Sequence, residues 1–144
     1  MLGRRPAYVP EGYEFRQLIE GVDAAGFHDL DDQVTLFYTK GTSIEDWRTP
    51  LVVCQAAVDG VPLFGTESHD GTSVGIGDLS GVYHDGMWAV GPGPDERRVG
   101  KVVFHWGTGV VHSVTVGANG TTYGIRGPSA ISRDELTAVA ASLF

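Results

Sequence analysis

The run KVVFHWGTGVVHSVTVGANGTTYGIR, residues 101–126, decides the fold. Asn119-Gly120 supplies the two positive φ angles of a type I′ turn, whose twist matches a pair of antiparallel strands. A two-residue loop there sets Ala118 opposite Thr121, Val116 opposite Tyr123 and Val114 opposite Ile125. Gly107-Thr108-Gly109 reads as a three-residue loop, which sets Trp106 opposite Val110, Phe104 opposite His112 and Val102 opposite Val114. The two turns together put Val102, Phe104, Trp106, Val110, His112, Val114, Val116, Tyr123 and Ile125 on one face. Lys101, Val103, His105, Val111, Ser113, Thr115, Thr122 and Arg126 fall on the other. A slip of one residue exchanges the faces of a strand, so two turns that agree on an apolar side argue for an antiparallel meander.

Working outward, Asp59-Gly60, Asp70-Gly71 and Asp85-Gly86 carry the same hairpin signal. The last pairs His84 with Met87 and Tyr83 with Trp88, an opposed aromatic pair that favours the register. Tyr13 to Ile19 reads as a first strand after the Pro10-Glu11-Gly12 turn. Val34, Leu36 and Tyr38 alternate with Thr35, Phe37 and Thr39, a strand apolar on both sides, and Leu51 to Ala57 is a second apolar run. Residues 21–32, 41–50 and 91–98 read as loops, the first rich in aspartate. At the C-terminus the period changes. Ser132-Arg133-Asp134-Glu135 has capping-box spacing, and Leu136, Val139, Ala140 and Leu143 form one helical stripe. The expected fold is α+β, mostly β: a curved antiparallel sheet of hairpins with one C-terminal helix packed on it, a single domain over residues 1–144.

A chain of 144 residues with 42% hydrophobic side chains buries a real core. Its net charge of −8 repels phosphate backbones, which argues against nucleic acid as a partner, and it weakens docking on an anionic membrane surface. No apolar stretch reaches the ~20 residues of a spanning helix. Cys54, the single cysteine, forms no internal disulfide and reads as a small buried hydrophobe.

Motifs for catalysis are sparse. Gly75-Ile76-Gly77-Asp78 is read as a turn, because a hairpin strand rather than a helix follows. Neither a nucleophile elbow nor a His-Glu-x-x-His helix is read from the chain, so no catalytic residue, metal or cofactor is assigned. His28-Asp29, His69-Asp70 and His84-Asp85 juxtapose imidazole and carboxylate, but neighbours on a strand point to opposite faces. A small metal-dependent hydrolase built on them is therefore the weakest alternative. Trp47, Tyr83, Trp88, Phe104, Trp106, His112 and Tyr123 are the candidate ligand-binding residues, lining a groove between sheet and helix; ordinary core packing accounts for the same residues.

The motifs resemble a bacterial family of uncharacterised domains at the extracytoplasmic, C-terminal end of membrane-anchored, anti-sigma-factor-like proteins. The residues carrying the resemblance are Pro10-Glu11-Gly12-Tyr13, Val34-x-Leu36-x-Tyr38, Val74-x-Ile76-Gly77, Gly81-Val82-Tyr83, Gly86-Met87-Trp88, Phe104-His105-Trp106 and Tyr123-Gly124-Ile125-Arg126-Gly127. The ending Ser132 to Leu136 with Val139-Ala140 and Ser142-Leu143 is the most specific part. The resemblance implies a curved sheet similar to lipoprotein carriers and envelope-stress sensors. It implies a non-enzymatic binding or sensing domain of the cell envelope that takes an apolar small molecule, a peptide or an envelope protein. An extracytoplasmic location follows from it; a true start at Met1 would instead leave the chain in the cytoplasm. The alternative is a structural or protein-interaction module without a ligand cavity.

Overall fold

The computed structural model describes residues 3–22, 29–40, 50–57 and 70–144. Within them lie β1 (Glu14–Val22), β2 (Asp29–Thr39), β3 (Leu51–Ala56), β4 (Thr72–Ile76), β5 (Leu79–Val90), β6 (Arg97–Val99), β7 (Val102–Ala118), β8 (Thr121–Pro128) and α1 (Arg133–Ala141). The strands form one open antiparallel sheet in the order β1-β2-β3-β8-β7-β5-β4, with β6 added beside β7.

One lateral row explains why the sheet holds. Leu18, Leu36, Val53, Ile125, Val114 and Tyr83 are successive cross-strand partners from β1 to β5. Partners share a face, and that face meets the helix: Leu36, Val53, Val114 and Ile125 are fully buried in one cluster with Leu136, Val139, Ala140 and Leu143. Each such side chain contributes roughly 1.5–3 kcal/mol on leaving water. The helix starts where the spacing places it. Ser132 Oγ accepts the Glu135 N–H at 3.1 Å, and the Glu135 carboxylate accepts the Ser132 N–H at 3.2 Å. The N-terminal segment then straps the same face. Ala7 and Tyr8 bond Ser142 at the far end of the helix, and the buried Gln55 amide both accepts from and donates to the backbone of Arg4.

The Asn119-Gly120 turn forms as expected, with both residues at positive φ and Ala118, Val116 and Val114 opposite Thr121, Tyr123 and Ile125. Three other turn assignments need correction. Asp85-Gly86 is not a hairpin tip: β5 runs through it, and Tyr83 pairs with Val114 while Trp88 pairs with Trp106. Gly107-Thr108-Gly109 is not a hairpin either, since β7 is continuous. The two glycine sites face each other across one bulge, where pairing jumps from Asp85–His112 to Met87–Gly107. Extra residues on β7 are taken up there, with Gly109 at φ 80° and Gly86 at φ 108°. Asp70-Gly71 is no type I′ turn, because Gly71 keeps an ordinary φ; it lacks a Cβ because one would collide with Val82 and His84. The tip that does join β4 to β5 is Gly77-Asp78, between the partners Ile76 and Leu79. Asp59-Gly60 lies outside the described residues.

The missing hairpin also corrects the face assignment. Trp106, and Phe104 two residues before it, lie with His84 and Ser113 on the side away from the helix, not with Val114 and Ile125.

Gly86 and Gly120 separate bulge from turn by experiment. A Cβ at Gly120 meets nothing, so Gly120→Ala costs only the left-handed backbone penalty of about 1–2 kcal/mol. At Gly86 the Cβ would also strike the Gly107 carbonyl, so Gly86→Ala is expected to lower the urea midpoint clearly further. Equal losses would contradict the bulge.

Candidate functional site

The second face of the sheet is buried as well, and it is polar. In β2, Gln33 and Thr35 alternate with the core residues Val34 and Leu36; in β3, Cys54 lies between the core residue Val53 and Gln55. The register aligns Thr35, Cys54, Gly124 and Thr115 in one row, and Val52, Arg126, Ser113 and His84 in the next. Gln33 Nε2 donates to Cys54 Sγ at 3.1 Å, and Thr35 Oγ1 donates to the same sulfur at 3.6 Å. Arg126, at 2% exposure, is the most deeply buried charge among the described residues. Three buried atoms on this face, Gln33 Oε1, Ser113 Oγ and Thr115 Oγ1, make no hydrogen bond. A buried polar atom left unpaired costs about 1–3 kcal/mol, so this face is held at some expense of stability.

Beside it stands an aromatic group. The Trp88 and Trp106 rings meet edge to face at 5.4 Å, His84 lies 6.0 Å from Trp106, and Trp106 Nε1 donates to the Asp85 carbonyl at 2.9 Å. The Gly86 bulge makes this possible, since a side chain there would strike Trp106 Nε1. Arg97 places its guanidinium 5.8 Å from the Trp88 ring.

The seven candidate residues are thus divided. Trp88, Phe104 and Trp106 lie on the polar side. Tyr83, His112 and Tyr123 lie on the helix side, and Trp47 is outside the described residues, as are His28 and His69. On the helix side His112 is a structural clamp. Its Nε2 lies 2.6 Å from the Ile131 carbonyl, which can only accept, so Nε2 carries the proton and Nδ1 accepts from the Tyr83 hydroxyl at 2.8 Å. This ties β5 and β7 to the turn that launches the helix. Arg133 covers the Tyr83 ring at 4.5 Å. Burial, reinforced by the Asp85 charge and opposed by Arg133, raises the Tyr83 pKa. Tyr123 packs edge to face on Phe144 at 5.0 Å.

Among the described residues, two clefts lie elsewhere. One of about 550 Å³ lies among Pro10, Tyr13, Lys40, Ile131 and Glu135, where burial and then Glu135 raise the Tyr13 pKa. Another of about 540 Å³ lies at the hairpin tips beside Ala141 and Phe144.

Gly71-Thr72-Ser73-Val74-Gly75 has the Gly-x-Ser-x-Gly spacing, a match the sequence reading passed over. The structure lays it along the strand β4 with Ser73 exposed, not at a sharp turn into a helix, so the nucleophile-elbow context is missing. Among the described residues no three His, Cys, Asp or Glu side chains converge. His84 is buried on the polar side while Asp85, its neighbour, is exposed.

Two outcomes follow. Cys54 is expected to resist a water-soluble thiol reagent in native protein and to titrate as one thiol in denaturant; rapid native labelling would contradict its burial. The raised Tyr13, Tyr38 and Tyr83 pKa values mean that the folded state keeps these protons longer than the unfolded chain. Their stabilisation is therefore fully present below about pH 10 and lost as pH rises through the folded values. Tyr83→Phe is expected to flatten the fall of the urea midpoint above pH 10; an unchanged slope would contradict it. Comparison of the chain with protein-family models, curated proteins and solved structures gave no match.

Proposed function

We propose that the protein is a non-enzymatic binding domain whose ligand or partner is received on the polar face, beside Trp88 and Trp106, rather than under the helix. The observation that carries this reading is the set of buried, hydrogen-bond-less atoms Gln33 Oε1, Ser113 Oγ and Thr115 Oγ1 on one side of the sheet. A core built only for stability has no use for them, since apolar groups of the same shape are neutral or better there. A bound molecule that completes those hydrogen bonds, with its apolar part against the tryptophans, gives them one. The envelope role implied by the family resemblance belongs to the same reading: a domain that reports occupancy of this face.

The variant Ser113→Ala/Thr115→Val separates this reading from a structural module without a ligand. Removing unsatisfied hydroxyls is expected to raise the melting temperature of the free protein in either case. Only the binding reading expects a second effect. Wild type titrated with a panel of fatty acids, acylated peptides and polar peptides, followed by tryptophan fluorescence, should saturate with at least one, and the variant should bind it about tenfold more weakly. Absence of any saturable change across the panel would leave the interaction module as the better account.

A further inference from the structure

Beyond the helix-covered core, the C-terminal part of β5, the N-terminal part of β7 and all of β6 form a three-stranded arm. Val90 and Arg97 both pair with Phe104, and Val99 pairs with Val102, so Val90, Arg97, Val99, Val102 and Phe104 share one face. The opposite face is covered by the arm's own connection. Gly91 N–H donates to the Val103 carbonyl at 2.8 Å, His105 Nδ1 meets the Gly91 carbonyl at 3.1 Å, and Gly93 lies so close that a Cβ would touch the imidazole. Among the described residues the first face has no such cover. Val90 is 74% exposed, Val99 55% and Val102 44%. Charges flank them: Arg97 on the same face and Lys101 in the turn at the tip, with Arg98, the partner of Val103, on the opposite face and the exposed carboxylates Asp95 and Glu96 beside them.

We propose that this face of the arm tip docks on an anionic membrane surface. Three valines at these exposures present on the order of 300 Å², well short of the ~800 Å² per partner that a stable protein interface buries. A lipid interface has no such threshold, because a few aliphatic side chains entering the headgroup region, with cations beside them, are enough for reversible attachment. The molecule's acidic charge does not forbid this. At physiological ionic strength charges more than about 8 Å apart are largely screened, so the tip responds to its own charges, three cations against two carboxylates, more than to the acidic body. The inference does not depend on the ligand reading of the polar face.

The test is co-sedimentation of the full chain with vesicles of phosphatidylcholine, with and without phosphatidylglycerol. The protein is expected to partition onto phosphatidylglycerol-containing vesicles at about 0.15 M salt, and less as salt rises further. Val90→Asp/Val99→Asp should weaken partition at least about tenfold, and Arg97→Gln or Arg98→Gln about fivefold each. Val82→Asp, an exposed valine on the main sheet, should bind as wild type; circular dichroism confirms that each variant folds. Failure of wild type to partition, or equal loss in Val82→Asp, overturns the proposal. Self-association abolished by Val90→Asp, without vesicle binding, assigns the tip to a second copy and equally overturns it.

Discussion

The structure depends on one lateral alignment: Leu36, Val53, Ile125 and Val114, adjacent across four strands, lie on one face of the sheet over which the helix residues Leu136 and Val139 close. Because side chains alternate along every strand, this row commits each neighbouring residue to the opposite side. Gln33, Thr35, Cys54, Ser113 and Arg126 are on the polar face for that reason alone. The apolar core and the candidate site are two consequences of one register.

The bulge is the second determinant. Gly86 and Gly109 absorb extra residues on β7, so the strand passes from the core into the arm without a turn, and Trp106 comes to rest on Trp88. A core strand thereby carries both the buried aromatic group and, further out, the bare valines of the tip. The polar face and the arm are physically continuous through β7.

Features that depend on a few neighbouring residues were legible in the sequence. Asn119-Gly120 needs only its own two φ angles, and Ser132 with Glu135 needs only one turn of helix, so both assignments match the coordinates. The apolar-on-both-sides patterns of residues 34–39 and 51–57 likewise signalled strands buried on two faces. Asp85-Gly86 and Gly107-Thr108-Gly109 misled because a turn and a bulge ask for the same positive φ; only the partner strand distinguishes them, and it is remote in sequence. The candidate site was legible only in part. Trp88, Phe104 and Trp106 fall in strand segments, but the two expected hairpins divided β5 and β7, and the second placed Phe104 and Trp106 on the helix face. Arg126 and Ser113 read as the mostly polar side of the sheet, because alternation tells which residues share a side and not whether that side is covered.

The most direct measurement of this two-faced arrangement is a nuclear Overhauser spectrum of the aromatic side chains. Cross-peaks from the Trp106 indole to Trp88 and His84, with the Val114 and Ile125 methyls seeing Leu136 and Val139 but not Phe104, are the predicted result. Cross-peaks joining Trp106 to Val110 as cross-strand partners, or the Phe104 ring to the Val114 methyls, would mean that β7 folds back at Gly107–Gly109 and would contradict the account.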